Sequence, residues 1–320
     1  MKLSPGLRRL FTALLIAAAF FYLAREIWAN AAQLRSFEWD VRPGLLALSV
    51  AVFVAVLLWG VAVWRMLLRH FGVEVPFRAL ARAWFLSNLS KYIPGVVWQF
   101  VSLAQLGPSA GLTPAASVTT LLVQMGFLLL SAWLVGAWLL PAAYAGEFAA
   151  GLLVLRWASP LALVLVHPAV VGGGLRLVER VARREVAAWG GSWAEGVKIL
   201  LVSAVSWVLS GAAFYLFLAS FVELPLSALP AVTAINALAW VVGYLVFFAP
   251  GGLGFKEAAM ALLLGGLVPA GVAAALAVAS RLWTIAGEVL PALFLARGRP
   301  SPAPEAPAPP VTPGRASSRP

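Results

Sequence analysis

The sequence of 320 residues is 62% apolar and only 11% charged, which is more apolar surface than a soluble domain could bury. A soluble enzyme domain is therefore excluded for most of the chain, and lipid must be its solvent. The formal charge of +11 does not indicate a nucleic-acid partner, because the basic residues fall in short loops beside apolar stretches and in the tail, without a recognition motif.

Seven apolar stretches reach the length of about 20 residues that a membrane-spanning helix needs. They are continuous and lack the alternation of a transmembrane strand, so we predict an all-α polytopic membrane protein. The first follows a basic N-terminus without a clear cleavage site, which favours a membrane helix over a signal peptide. The stretches are 10–28, 45–66, 115–140, 149–171, 197–221, 229–249 and 271–296.

Two halves of the chain share three landmarks in the same order. Residues 73–80 and 222–229 match at five of eight positions, a Pro-Gly pair follows each match, and another proline then opens a long apolar helix. The offsets between corresponding landmarks are 149, 156 and 155 residues. We therefore predict a membrane domain over 1–296 built from a duplicated unit, with halves at about 8–145 and 146–296. The later landmarks are Pro94-Gly95 with Pro250-Gly251, and Pro114 with Pro269.

Charge indicates that the halves are inverted in the membrane. The loop after the second apolar stretch is rich in arginine, whereas the corresponding loop around Glu223 has no Lys or Arg, so the positive-inside rule places the first loop in the cytoplasm and the second outside. Each Pro-Gly segment must then enter and leave the membrane on the same side. This predicts about six spans and two re-entrant hairpins. The stretch 229–249 is nevertheless long enough to span. Both termini are predicted to be cytoplasmic, with a disordered Pro/Ala-rich tail at 297–320. The arginines of the first loop are Arg65, Arg69, Arg78 and Arg82.

Each Pro-Gly break frees backbone N–H and C=O groups that hydrocarbon cannot satisfy. The breaks are therefore predicted to face protein or a wet cavity, and paired breaks in inverted halves indicate a substrate site near the membrane midplane. An interfacial turn is the alternative, since such turns also collect Pro, Gly, Lys and Trp. The first break is polar and aromatic over 88–99, and the second has four glycines, Lys256 and Glu257 within 243–257.

Charged residues inside or beside apolar segments are further candidates for this site. Arg281 and Glu288 lie seven residues apart on one face of the last apolar stretch, and such charges need a partner or a wet cavity. Arg281 would either pair with Glu257 or hold an anionic head group, and the sequence does not separate these alternatives. Lys91 would either bind a lipid phosphate or extend to the membrane interface.

No metal site, cofactor or phosphate-binding loop is expected. His70 and His167 lie in different segments without acidic residues or cysteine at ligand spacing, and the sequence has no Cys at all. The glycines at 251–254 lack the preceding strand and the Lys-Ser/Thr ending of a phosphate-binding loop.

Three motifs carry a family resemblance: Asn-x-x-Lys-Tyr-x-Pro-Gly-x-x-Trp at 88–98, Pro-Gly-Gly-x-Gly-x-x-Glu at 250–257, and an arginine in the last helix. Together they resemble the flippase-like membrane domain of the lysylphosphatidylglycerol synthase family, which is also the N-terminal part of the bacterial multiple peptide resistance factor. The resemblance covers about 10–296 and implies a cytoplasmic-membrane protein that moves or accommodates a polar lipid, such as an aminoacylated phospholipid or an isoprenoid-linked intermediate. The site residues that it implies are Asn88, Lys91, Tyr92, Pro94, Gly95, Trp98, Pro250, Gly251, Gly252, Gly254, Glu257 and Arg281.

The leading hypothesis is a lipid transporter or flippase in which Arg281 and Lys91 receive an anionic head group. No soluble aminoacyl-transfer domain follows Arg297 in the sequence, so we expect no synthase activity. The alternative is a non-transporting membrane module that anchors or assists a separate lipid-modifying or glycosyl-transfer enzyme. An intramembrane enzyme is disfavoured, because Glu257 and Arg281 have no obvious nucleophile beside them. The other predicted cavity residues are Tyr244, Lys256 and Glu288.

Overall fold

A computed structural model describes residues 21, 24–25, 27–93, 98–146, 149–183, 185–246 and 249–297. Over these residues the chain is helical and contains no strand, which confirms the predicted all-α class. Most of the predicted first helix (10–28) and the tail from 298 onward lie outside the described residues.

The longer described helices are numbered α1 to α10 in chain order. Shorter helical segments lie at Ala31–Ser36, Ala142–Ala145 and Leu161–Leu165, and single 3-10 turns at Leu89–Tyr92, Gly107–Ala110, Leu226–Ala228 and Pro250–Gly252. The numbered helices are α1 (Pro43–Arg69), α2 (Phe77–Asn88), α3 (Trp98–Leu106), α4 (Pro114–Leu139), α5 (Ala149–Trp157), α6 (Pro168–Ala182), α7 (Trp193–Ala219), α8 (Leu229–Leu245), α9 (Phe255–Leu264) and α10 (Ala270–Ala296).

Five segments among the described residues are long and apolar enough to cross a membrane. Four of them are α1, α4, α7 and α10, which match predicted stretches to within a few residues. The fifth, Leu226–Leu245, contains α8 and lies in the segment that was predicted to be re-entrant but long enough to span.

The starts of α1, α4 and α7 have local causes in the sequence. Proline occupies the first turn of α1 and α4, where its missing N–H costs nothing. Thr113 also caps α4 by accepting a hydrogen bond from Ala116 N at 3.1 Å. Ser192 and Glu195 form a reciprocal capping box at the start of α7.

The stretch 149–171 is not one spanning helix, and that prediction is wrong. It is divided among α5, Leu161–Leu165 and α6, with interruptions next to Pro160 and Pro168. Each proline lacks a backbone N–H and its ring clashes with the preceding turn, so an apolar composition alone does not make a continuous helix. Arg156 of α5 bonds the carbonyls of Ala137 and Leu140 at 2.7 Å each, which satisfies the end of α4.

The two predicted halves have the same order of elements. In the first half a 27-residue helix (α1) is followed by α2, a break, the short α3 and the long α4; in the second the same order is α7, α8, a break, α9 and α10. Contacts between the halves are reciprocal, because α1 packs on α7, α2 on α10 and α8 on α4, while α1 also packs on α10 and α7 on α4. This reciprocity is typical of two units related by a twofold axis.

The first helices of the halves run antiparallel. Arg42, before α1, donates its backbone N–H to Ser220 after α7, whereas His70 at the other end of α1 lies 3.3 Å from Glu195 at the start of α7. Midway, Trp59 Nε1 donates to Ser206 Oγ at 3.1 Å. Antiparallel first helices are what inverted halves require, and the orientation of each half in a membrane stays a prediction.

The second break lies in a segment that leaves and returns to the same end of the bundle. The segment starts after α7 at Ser220, beside the start of α1. It ends at the start of α10, which runs alongside α1 in the same direction: Trp283 Nε1 donates to Ser49 Oγ, and Gly287 packs on Phe53. The re-entrant hairpin itself stays a prediction, because Leu226–Leu245 in this segment is also long and apolar enough to cross a membrane.

Close packing of α7 on α8 depends on Gly211. A Cβ at this position would lie 2.1 Å from Thr233 Oγ1 and 2.7 Å from Thr233 Cα, so the helices would have to separate. We expect Gly211→Ala to lower stability by about 1–3 kcal/mol, as overpacking does. The exposed Gly126 of α4 has open space around its Cβ position, and Gly126→Ala should be neutral or stabilising. Equal thermal unfolding midpoints for the two variants in detergent would contradict this packing.

Candidate functional site

A cavity of about 340 Å³ lies between the two halves. Both breaks and the long helices α1, α4, α7, α8 and α10 contribute to its lining, so neither half forms it alone. Much of the wall is apolar, with Phe53, Leu57, Met125 and Leu128 among its side chains, while charged groups come from the two breaks and from α10. Such a concave, mostly apolar site with a few convergent polar groups is typical of a ligand pocket.

Lys91 and Tyr92 of the first break approach the second break at Gly251. A Cβ at this residue would lie 3.8 Å from the Lys91 carbonyl oxygen, 3.8 Å from the Tyr92 ring and 3.1 Å from the Arg281 guanidinium. Gly251 also has a φ of 55°, in the left-handed region that glycine adopts without strain. Glycine at 251 therefore permits both the turn and the approach of the first break.

A second close approach lies beside it, between Gly252 and α8. A Cβ on Gly252 would be 2.6 Å from the Cα of Gly243, and one on Gly243 would be 2.9 Å from the Cβ of Lys256. Any larger residue at either glycine would push the second break away from α8, so this glycine pair fixes the position of Lys256 at the cavity wall.

Glu288 connects the two halves through its carboxylate. Its Oε1 lies 2.5 Å from Lys91 Nζ, and its Oε2 accepts a hydrogen bond from the Tyr92 hydroxyl at 2.7 Å. The Glu288 side chain is only 4% exposed, whereas Lys91 is 26% exposed. Charge-assisted hydrogen bonds of this kind are short and strong, so α10 holds the first break by two contacts on one carboxylate.

Arg281 connects α10 to the second break. Its Nη1 donates to the carbonyl of Gly251 at 3.0 Å and to Glu257 Oε1 at 3.2 Å, and the guanidinium lies 5.2 Å from the centre of the Tyr92 ring. The other oxygen of Glu257 accepts the backbone N–H of Gly254 at 2.7 Å and so caps α9. The pair of Arg281 and Glu257, one of the two predicted alternatives, is present, and Arg281 also lines the cavity.

Lys256 is the third cation of the cavity. Within the described residues it has no carboxylate within 4.0 Å, unlike Lys91 and Arg281. With Glu257 and Glu288 as the two acids, the group of three cations and two carboxylates has a net formal charge of one positive unit. An excess of positive charge on partly buried groups in a largely apolar cavity is costly unless an anion compensates it, which makes this part of the cavity suited to a negatively charged ligand.

The family model described as the lysylphosphatidylglycerol synthase TM region matches residues 10–294. The chain belongs to the lysylphosphatidylglycerol synthase transmembrane family. No curated protein matches the chain. The family and the apolar helices together establish a multi-pass membrane protein, and the resemblance stated from the motifs is confirmed.

In this member of the lysylphosphatidylglycerol synthase transmembrane family, most of the predicted site residues come together. Gly254 and Glu257 do not line the cavity but lie behind its wall, where they bond each other. Trp98, at the start of α3, is 42% exposed and is not one of the lining residues either. Pro250 begins the 3-10 turn of the second break, and Pro94 and Gly95 lie outside the described residues. The predicted residues that line the cavity are Asn88, Lys91, Tyr92, Tyr244, Gly251, Gly252, Lys256, Arg281 and Glu288.

The two histidines both lie near the start of α7, where His70 contacts Glu195 and the His167 ring lies 6.3 Å from the Trp193 ring. His70 contacts Glu195 and the Trp189 ring at the end of α1, and His167 accepts the backbone N–H of Ala169 at 3.2 Å at the start of α6. Both therefore have structural partners within the described residues.

Apart from Asn88, Tyr92 and Tyr244, sequence reasoning missed the uncharged polar side chains of the cavity. Ser203, Ser206 and Ser210 lie along one face of α7, and Asn236 and Trp240 precede Tyr244 at four-residue intervals on α8. This helical spacing of polar residues within apolar stretches is a signal that could have identified them. The other missed polar residues are Gln99, Gln124, Trp207 and Thr284.

Proposed function

We propose that this protein is a membrane lipid transporter or flippase that holds a polar or anionic lipid head group in the cavity between its halves. The observation that carries the proposal is the meeting of both breaks at a group of Lys91, Lys256 and Arg281 that exceeds its two carboxylates by one positive charge. The apolar part of the wall suits the hydrocarbon of a lipid, and the charged part suits its phosphate.

A transport role rather than a catalytic one is part of the proposal. Paired broken helices from two related halves are a recurrent design for sites that alternate between the two sides of a membrane. We further propose that the protein lies in the cytoplasmic membrane with both termini in the cytoplasm, on the basis of the four arginines in the ends of α1 and α2 that flank their connection.

Leaflet exchange in reconstituted vesicles tests the proposal. Proteoliposomes with a fluorescent head-group-labelled phospholipid should exchange it between leaflets faster than empty vesicles, as read by a membrane-impermeant quencher. Lys256→Met should slow exchange about tenfold, because a charge-assisted contact to phosphate contributes about 1.5–3 kcal/mol. The matched control Lys198→Met removes an exposed lysine at the start of α7 and should leave the rate unchanged.

The transport proposal would be refuted if the protein exchanged several anionic and zwitterionic lipids no faster than empty vesicles do. One lipid-modifying or glycosyl-transfer enzyme that co-purifies stably with such an inactive protein would then favour the non-transporting module.

A further inference from the structure

Four carboxamides also line the cavity, and we call them together the amide lobe: Asn88, Gln99, Gln124 and Asn236. It adjoins the charged group, because Asn236 lies two turns, about 10 Å, along α8 from Gly243, which touches Lys256. A ligand whose phosphate contacts Lys256 would therefore bring its next few atoms to the amide lobe.

Hydrogen bonds within the amide lobe are incomplete. Gln99 Nε2 donates to Asn88 Oδ1 at 3.2 Å, Gln124 Nε2 donates to the Gly60 carbonyl at 3.2 Å, and Asn236 Nδ2 donates to Ser210 Oγ at 3.0 Å. Asn88 Nδ2 and Gln124 Oε1 have no partner in the described part of the chain. Both residues are only 5% exposed and both atoms are covered, so a ligand in the cavity reaches them when the carboxamides rotate.

One unpaired donor and one unpaired acceptor are complementary to hydroxyl groups. Buried polar atoms without partners are uncommon and costly, so each calls for a ligand or another explanation. A hydroxyl both donates and accepts, whereas an ammonium group only donates and would leave Asn88 Nδ2 unpaired. The amide lobe is thus better matched to hydroxyls than to an amine.

Aromatic side chains flank the amide lobe. The rings of Trp240 and Tyr244 are stacked with centroids 5.0 Å apart, and Trp207 meets Trp240 edge-on at 5.1 Å. All three line the cavity. Their large apolar faces suit the C–H groups of a glycerol or sugar whose hydroxyls point to the amides.

Charge argues against an aminoacyl group as the ligand's outer part. Among the described lining residues Glu288 is the only acid, and both of its oxygens are engaged, by Lys91 and by Tyr92. An additional ammonium in the cavity would therefore meet three cations and no free carboxylate, which is electrostatically unfavourable.

We propose that the amide lobe binds the hydroxyl groups of an uncharged polyol or sugar, so that the preferred lipid is an anionic, hydroxylated phospholipid or isoprenoid phosphate rather than an aminoacylated one. This inference rests on the proposed lipid-handling function and specifies its substrate class. Its test is equilibrium binding, which is independent of whether leaflet exchange occurs.

The experiment measures the affinity of the purified full chain in phosphatidylcholine nanodiscs for four added lipids. These are phosphatidylglycerol, a polyprenyl-phosphate hexose, phosphatidic acid and lysyl-phosphatidylglycerol. We expect the hydroxylated anionic lipids to bind about tenfold more tightly than the other two, the effect of one or two satisfied hydrogen bonds. The tighter of the two hydroxylated lipids identifies the source of the head group.

Two variants locate the preference in the amide lobe. Asn88→Leu and Gln124→Leu should each lose most of the tenfold preference for phosphatidylglycerol while binding phosphatidic acid as the wild type does, which also shows that the variant is folded. Gln105→Leu, at an exposed glutamine of α3, should keep the preference.

Two results would overturn the inference: a wild-type protein that binds phosphatidic acid or lysyl-phosphatidylglycerol at least as tightly as the hydroxylated lipids, or a preference that persists in both leucine variants. Fast leaflet exchange without this binding preference would refute the inference and leave the transport proposal standing. Selective binding without leaflet exchange would refute the transport proposal and leave the binding preference of the amide lobe standing.

Discussion

Glu288→Gln is expected to slow leaflet exchange about tenfold or more. The carboxylate holds Lys91 at 2.5 Å and the Tyr92 hydroxyl at 2.7 Å, and a hydrogen bond to a charged group contributes about 1.5–3 kcal/mol. The amide keeps the shape of the side chain but loses the charge, so the first break is no longer fixed to α10. The loss should appear in the exchange rate measured with the quencher assay.

In Glu288→Gln, lipid binding should be retained although leaflet exchange is slowed. Removing the Glu288 charge raises the net charge of the group around the cavity from one to two positive units, so an anionic lipid should bind at least as tightly as in the wild type. The matched control Glu179→Gln removes an exposed acid on α6 and should change neither quantity. Wild-type exchange by Glu288→Gln would contradict a role for this contact between the halves.

Arg281→Met is expected to destabilise the protein by about 3–5 kcal/mol, because it leaves the 4%-exposed Glu257 as a buried charge without its cation. The variant also removes the hydrogen bond to the Gly251 carbonyl, which anchors the second break. The free energy of unfolding in detergent, followed with a chemical denaturant, measures the loss.

The double variant Arg281→Met/Glu257→Gln gives the coupling within the pair. It should be more stable than Arg281→Met alone, because the uncompensated charge is gone even though the cap on α9 is weakened. Arg176→Met, at an exposed arginine of α6, should change stability by no more than about 0.5 kcal/mol. A double variant no more stable than the single one would show that the two side chains are not coupled.

The sequence predicted the membrane class and the four long helices α1, α4, α7 and α10, because long apolar runs leave the backbone no alternative to helix in lipid. It also predicted that the two breaks are related, since their landmarks recur at almost constant offset. The prediction of one continuous helix over 149–171 was wrong, because it relied on the apolar composition and neglected the helix-breaking effect of Pro160 and Pro168.

The candidate site was only partly predictable. Its charged residues stood out because charges are rare in apolar segments, yet nothing local indicates that Glu288 bonds Lys91 and Tyr92, which lie almost two hundred positions earlier in the chain. Taken singly, serine and asparagine in α7 and α8 carry no clear local signal, because such residues also serve ordinary packing between membrane helices. Only the packing of the halves reveals that they share a cavity with the breaks.

We propose that the cavity where both breaks approach each other handles lipid. The rate of leaflet exchange of a labelled anionic phospholipid tests this, in vesicles that differ only in the protein they hold. Exchange should be fast with the wild type and with Lys198→Met, and about tenfold slower with Lys256→Met. Equal rates for wild type, Lys256→Met and empty vesicles would contradict it.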